Sequence, residues 1–524
     1  MLGRPKLDIV TINEMKGGTQ PFPAAGETGR LSKPPDPTLL ALLYKPQISQ
    51  DLRNVLPHLL RIDAAHVVML AHAGILEIDV ARDLLVVNQD LEKGFLCGEK
   101  ILDPPPAHRG LFFLYEQHYI DKLGAHTGGA AHVARSRNDI NATVTRMRLR
   151  VRILEFLDEG LRSVAAALDL AGGQLHTVMS AFTHLQPAQP TTLAHYLAGM
   201  ASELLRSLAA VAAALHGVDR CPMGAVTGSG TSFPIDRSLV AGLLGFQEVA
   251  DNSLDAVASR DYLAAVLAGL ASFGVTLTRW ATDFQLWASH AYGFLDWPDA
   301  LVSTSSTMPQ KRNAYVWEDI RGQAIHPAGA LMNVLMGMKN TPFSNGVEVS
   351  AEATAHVWPA LDAIEKATRL TRLLVENIEV NPARMRRFLD GADVTMTALA
   401  DGLVAQHGLA FRTAHTAVGR LARVLPAGDE LSSAGARRLL EEILRDLTGQ
   451  PLALSDGLLE ALDAEKSLLA ARHGGGPAPS SVAAQLARLA GEKQRLEDEV
   501  RAWRERLDKA DERLRAAVRE LVQA

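Results

Sequence analysis

Between Leu301 and Glu318 the chain reads LVSTSSTMPQKRNAYVWE, setting Ser305 and Ser306, a Met308-Pro309 turn, Lys311 and Asn313 in a short polar stretch between apolar, helix-like flanks. A serine outside a Ser-His-Asp arrangement acts as a base only where its surroundings stabilise the alkoxide. Lys311, six positions after Ser305, is a cation suited to that work. A lone loop serine is ordinarily a solvated hydroxyl, and a lone lysine a solvated charge. Two other segments hold polar groups of the same sort: HVARSRNDINATVTRMRLR from His132 to Arg150, and AFTHLQPAQP from Ala181 to Pro190. On their own, two arginines flanking Ser136 simply begin a charged helix, and His184 is an ordinary core or surface histidine.

Taken in order, these segments form a pattern. The 301–318 stretch resembles the signature loop of the fumarase/aspartase superfamily, Gly-Ser-Ser-x-Met-Pro-x-Lys-x-Asn, with Thr304 in place of the leading glycine. The 132–150 and 181–190 segments resemble the argininosuccinate lyase branch. So do CPMGAVTGSGTSFPIDR from Cys221 to Arg237, NSLDAVASRD from Asn252 to Asp261, and LDAEKSLLAARHGGGPAPSSV from Leu462 to Val482. The similarity extends from about Gly29 to Val482.

The resemblance implies cleavage of a C–N or C–O bond beta to a carboxylate, with release of fumarate. Removing a proton from carbon next to a carboxylate creates a doubly charged aci-carboxylate, which needs cations and donors fixed around it beforehand. The leaving nitrogen needs a proton as well. By alignment Ser305 is the base, and Lys311 and Asn313 stabilise it and bind substrate carboxylate, while Met308 and Pro309 shape the loop. Thr183 and His184 align with the pair beside the leaving group, Thr183 donating to a carboxylate and His184 a proton donor, with Gln186 in the same binding set. Glu318 matches the acidic residue that orients this histidine and raises its pKa. Ser136, Arg137 and Asn138 would hold the dicarboxylate, the planar guanidinium bidentately. Arg237 is assigned to the same task, and His132 stands behind it. The resemblance implies no metal or organic cofactor, and a homotetramer whose active sites each draw on three subunits.

Three departures bear on the leaving group. His132-Val133-Ala134 stands where the branch has His-Thr-Gly, KRNAYV lacks the usual Pro-Asp, and NTPFSNGVEVSAE (Asn340 to Glu352) lacks a tyrosine, a lysine and a glutamine that hold arginine in the branch. A pocket for a guanidinium needs acceptors and stacking partners. The fumarate half is therefore intact and the amine half altered. This fits a lyase for another N-substituted aspartate, and NTPF resembles a branch that includes ethylenediamine-disuccinate lyase. A nitrosuccinate-type lyase, a true argininosuccinate lyase and a non-catalytic, lyase-derived assembly protein are the alternatives.

The elements that must position these residues are helical. Aromatic residues make up 5% of the 524-residue chain, Ala and Leu are abundant and strand-type alternation is scarce. Leu154, Leu157, Leu161, Val164 and Leu168, and again Leu193, Leu197, Met200 and Leu204, recur at intervals of three and four. Helices are expected from Asp51 to about Leu91 with short breaks, from Tyr262 to Ser289, and from about Ala314 to Met338. Asn381-Pro382 marks a break. The fold expected is all-α, with three helical domains and a long central helix bundle that assembles into a tetrameric core. Residues 1–134 form an N-terminal domain with an irregular arm over about 1–28, 135–385 the central bundle, and 386–480 a small helical domain. Residues 481–524 form an extension with a heptad stripe from Val482 to Leu521, suited either to a helix lying on its own subunit or to a coiled-coil contact.

Lys plus Arg number 53 against 59 acidic residues, a net charge of −6, so no basic field points to nucleic acid or to an anionic membrane. The two cysteines, Cys97 and Cys221, support neither a disulfide framework nor a metal cluster. No secretory signal core and no uninterrupted apolar stretch of a membrane span's length is read, so the expectation is a cytoplasmic enzyme acting on a small dicarboxylate.

Overall fold

A computed structural model describes residues 35–98, 102, 110–390, 392–424, 433–460 and 462–524. The arm expected over about 1–28 lies outside the described residues. Helices dominate, and the four strand pairs among the described residues are short and two-stranded, as an all-α fold requires. The chain divides into two compact units: the described residues up to 144 with 222–249 and 510–524, and residues 145–221 with 250–509.

In the first unit the stretch expected to be helical from Asp51 resolves into helices Lys45–Asn54, Leu56–His72 and Ile78–Leu96, followed by Leu111–Gly128. Leu59, Leu60, Ile62, Val68, Leu84, Leu85 and Tyr115 form its core. Polar groups inside are satisfied in pairs. Asn88 donates to the Leu60 carbonyl (3.1 Å) and to the Tyr119 hydroxyl (3.1 Å). Buried Arg135 is ion-paired with buried Asp63. His66, fully buried, bonds the Val133 carbonyl at 2.8 Å, and burial pushes its pKa down to about 3.

The second unit holds the long helices. Residues of Arg137–Gly173 from 145 onward, Leu193–Val218, Asp261–Ala288, Val316–Ala324, His326–Met338 and Val357–Glu376 bury one continuous core. Leu154, Leu157, Leu161, Val164, Leu197 and Leu204 are all buried there, as their spacing requires. Leu193–Val218 and Asp261–Ala288 are long and apolar enough to cross a bilayer, yet 56% and 61% of their most apolar windows are buried in this bundle. They read as inner bundle helices.

The single helix expected from about Ala314 to Met338 is instead two, Val316–Ala324 and His326–Met338, meeting at Ile325. Pro327 explains the break, because it has no N–H to continue the ladder. At this joint Gly274 lets the neighbouring helix approach so closely that a Cβ would lie 2.0 Å from the Ala324 carbonyl oxygen.

Residues Pro479–Gln523 form one 45-residue helix. Its heptad stripe is covered by its own chain: Val482, Leu489, Leu496, Val500 and Trp503 belong to the second unit's core. Arg506 pairs with Asp219 (2.7 Å) and stacks on Trp503, and Arg504 pairs with Asp158. The polar member of the stripe, Lys493, bonds Glu497 at 2.7 Å. Helices Met396–His407, Phe411–Val424 and Ala434–Thr448 close around Leu399, Leu403, Leu421, Leu440 and Leu444.

Candidate active site

The candidate residues fall into three clusters, one in the first unit and two in the second. The first lies at the start of the Arg137–Gly173 helix. Ser136 precedes the helix, and three residues on Asp139 turns back so that its Oδ1 accepts the Ser136 N–H at 2.9 Å, half of a capping box. The Ser136 hydroxyl accepts weakly from the Asn138 N–H at 3.4 Å. Arg137 is exposed and lies over the Phe113 ring, 5.0 Å from its centroid. Of the two arginines in RSRND, Arg135 is committed to Asp63, so Arg137 is the one presented outward. In the same unit Arg237 donates from Nε to the Met223 carbonyl (2.9 Å), and His132 pairs with Glu116 at 3.3 Å.

The second cluster sits on a β-hairpin that the all-helical reading of composition did not foresee. Strands Val178–Thr183 and Gln186–Thr192 pair antiparallel, with Thr183 opposite Gln186. The two-residue loop is His184-Leu185, at φ +54° and +61°. A tight hairpin loop needs this left-handed backbone, which glycine or asparagine ordinarily supplies. Histidine and leucine hold it at a cost, and backbone strain of this kind gathers at functional sites. Thr183, His184 and Gln186 are all exposed at the tip.

The third cluster is the 301–315 loop. Buried Trp297 and Trp317 flank it, their rings edge to face with centroids 5.7 Å apart, so both loop ends are anchored in the aromatic core. A short ladder, Ser303–Thr304 with Arg312–Asn313, closes the loop base. Arg312 ties it down, bonding Asp296 (2.8 Å), Asp299 (3.0 Å) and the Trp297 carbonyl (2.7 Å). At the tip the Ser305 Oγ accepts the N–H groups of Thr307 (3.2 Å) and Met308 (3.0 Å). Two donors aimed at one hydroxyl oxygen favour its charged form. Lys311 is exposed, its backbone N–H donating to the Met308 carbonyl at 3.1 Å, and Asn313 is half-buried in the ladder.

Glu318, in the first turn of Val316–Ala324, accepts a 2.6 Å bond from Gln285. Within the chain Glu318 and His184 share no hydrogen bond or ion pair, and none joins the hairpin tip to the 301–315 loop among the described residues. The departing segment at Asn340 follows the His326–Met338 helix through a left-handed Asn340 (φ +63°), and leaves Phe343 exposed.

Sequence reasoning passed over Asp139, Gln285 and Arg312. The Ser-x-x-Asp spacing of a capping box was a usable signal for Asp139. Gln285 and Arg312 left none, since their partners lie elsewhere in the chain.

Residues 114–329 match the family described as lyase, and residues 393–468 the argininosuccinate lyase C-terminal family. Argininosuccinate lyase 1 of Shouchella clausii is 33% identical over 479 residues, covering 90% of this chain and 95% of its own length. The chain belongs to the argininosuccinate lyase family. Argininosuccinate lyase of Natronomonas pharaonis is 38% identical over 451 residues, covering 85% of this chain and 87% of itself. Among solved structures, EDDS lyase in complex with formate superposes with a TM-score of 0.82 at 27% identity, over 96% of this chain and 99% of its own. A variant of EDDS lyase with bound fumarate matches equally well. The lactonizing enzyme for 3-carboxy-cis,cis-muconate from Pseudomonas putida, at 19% identity and a TM-score of 0.63 over 88% of this chain and all of its own, shares the fold. This member of the argininosuccinate lyase family is a carbon–nitrogen lyase that releases fumarate, within the fumarase/aspartase superfamily. Lyases of this superfamily act on small dicarboxylate substrates.

Proposed function

We propose that this cytoplasmic lyase eliminates an amine from an N-substituted aspartate other than argininosuccinate, with Ser305 as the base. The observation that carries the reading is the pair of backbone N–H groups on the Ser305 Oγ, at 3.2 and 3.0 Å. Ser305 takes the proton from the carbon next to one carboxylate, and the electron pair moves into that carboxylate as an aci-carboxylate. Lys311, Asn313 and Arg137 hold the charge, helped by Ser136, Asn138, Thr183, Gln186 and Arg237. Collapse of the aci-carboxylate breaks the C–N bond, and His184, oriented by Glu318, supplies the nitrogen's proton.

The pairing of His184 with Glu318 is proposed to form between subunits of a homotetramer, with three subunits contributing to each site. In support, no hydrogen bond or ion pair joins the two to each other among the described residues of one chain, and the His184 hairpin tip is exposed. The His326–Met338 helix also leaves Met332, Leu335 and Met336 exposed, at 57%, 47% and 62%, an apolar face for another copy to cover.

The absent tyrosine, lysine and glutamine at 340–352 speak against arginine as the leaving group, and the likeness to EDDS lyase favours an aminopolycarboxylate instead. Argininosuccinate itself is the second reading, favoured by the names of relatives such as the S. clausii enzyme. The deciding test is fumarate release, followed by ultraviolet absorbance, with ethylenediamine-disuccinate, nitrosuccinate, argininosuccinate and other N-substituted aspartates offered in parallel. Turnover of a non-arginine substrate is expected. Turnover of argininosuccinate alone would overturn the altered-pocket reading, and nitrosuccinate alone would replace the amine by a nitro group. No fumarate from any of them would point either to an amine outside the panel or to a non-catalytic assembly role.

A further inference from the structure

We propose that Asp139 is the positioning residue for the carboxylate-binding end of the site, and that the turn from Met223 to Val226 is part of that end. The inference rests on the reading of Arg137 and Asn138 as carboxylate binders. Asp139 is fully buried and its carboxylate accepts four backbone N–H groups. Oδ1 takes those of Ser136 (2.9 Å) and Ile140 (3.0 Å), and Oδ2 those of Gly224 (3.0 Å) and Val226 (2.9 Å). One side chain thus fixes the backbone on either side of Arg137 and Asn138, and fastens it to a turn 85 to 87 residues further along.

One backbone bond, from the Ala225 N–H to the Pro222 carbonyl (3.1 Å), closes that turn, yet its backbone is strained. Val226 is at φ +55°, a left-handed conformation that a β-branched residue adopts only under strain. Gly224 is at φ +82°, where a Cβ would lie 2.7 Å from Ile235 Cδ1 and 2.8 Å from Arg237 Cγ. The Arg237 stem therefore packs directly on the turn, and its Nε bonds the Met223 carbonyl at 2.9 Å. Strain held by a buried carboxylate that also orders binding residues points to positioning rather than to packing alone. Burial pushes the Asp139 carboxyl up to about 6, while the donated bonds from Ser136, Val226 and Gly224, and the charge of Arg135, act the other way. Because all four partners are donors, only an acceptor carboxylate satisfies them. An amide would set its NH₂ against two N–H groups.

The experiment measures kcat, KM, the inhibition constant of fumarate and the melting temperature for Asp139→Asn, Val226→Gly, their double variant, Gly224→Ala and Arg137→Ala in the full-length enzyme. Asp139→Asn is expected to raise KM and the fumarate constant together by about tenfold or more, with a smaller change in kcat. The same substitution should cost at least about threefold less in the Val226→Gly background, where the turn no longer needs holding. Gly224→Ala, which leaves Asp139 itself intact, should raise the same two constants, so the inference stays testable if Asp139→Asn does not fold. A lowered melting temperature with KM and the fumarate constant unmoved in Asp139→Asn, or in Gly224→Ala, would overturn it. If Arg137→Ala also leaves both constants unchanged, the carboxylate-binding reading itself fails, a result distinct from failure of the Asp139 inference.

Discussion

The start of the Arg137–Gly173 helix and the loop from Leu301 to Tyr315 present their charges by opposite means. At the helix start the exposed Arg137 stands on a buried frame, with Asp139 accepting four backbone N–H groups and Arg135 paired with Asp63 inside the first unit. In the loop nothing polar is deeply buried. Two tryptophans hold its ends, Arg312 pins its base from the surface, and Ser305 at the tip has only backbone donors. On the roles proposed above, Arg137 would bind carboxylate in every turnover, and such a group gains from a rigid frame. A base that has to meet substrate and let product leave is better carried on a loop tied only at its base, because polar loops commonly gate such reactions.

The comparison can be broken first at the tip. Ser305→Ala should lower kcat by at least about a thousandfold while assembly, followed by size-exclusion chromatography, is unchanged. Near-normal turnover would refute Ser305 as the base. Next comes the loop base: Arg312→Met removes the ties to Asp296, Asp299 and Trp297 without touching the core. It is expected to lower kcat by roughly tenfold to a hundredfold with little shift in the melting curve. A large loss of thermal stability instead would mean that the loop base belongs to the rigid part of the molecule.

The buried frame can be probed by pH. His66 has a folded pKa of about 3, below the ordinary 6.5, because burial disfavours its charged form. Its contribution is therefore fully present above pH 6.5 and is lost as pH falls toward 3, the window in which only the unfolded chain takes up the proton. About 1.6 kcal/mol should go between pH 6.5 and 5, read by urea unfolding at the two pH values. His66→Gln should flatten that slope while the pH response of the loop variants stays as it was. The smallest effect is expected at the other exposed tip. Leu185 is 68% exposed at φ +61°, so Leu185→Gly relieves backbone strain without loss of buried surface. It should stabilise the hairpin by about 0.5–1 kcal/mol, seen as a raised melting temperature.

Much of the scaffold was legible in the residues alone. The intervals of three and four in 154–168 and 193–204 mark faces that are buried in the structure, and the stripe from Val482 to Trp503 marks a helix face that the chain covers itself. A helix boundary such as Asn381 is local as well, since its side chain caps the next helix by accepting the Arg384 N–H at 3.0 Å. The 178–192 hairpin was not legible from alternation, because its loop uses histidine and leucine where a tight turn ordinarily shows glycine or asparagine. Nor was the break at Ile325, although Pro327 stood in plain view, because proline near a helix start and proline at a joint look alike in a sequence.

What the sequence determined by itself was therefore periodic or local: which faces are apolar, and where a motif puts a serine, a histidine or an arginine. The tertiary structure alone decided the partners: Asp139 with Gly224 and Val226, Gln285 with Glu318, Arg312 with Asp296, and the heptad stripe with its own bundle. The physical reason is that burial leaves a repeat in the chain, whereas a hydrogen bond between distant residues depends on where two segments come to rest.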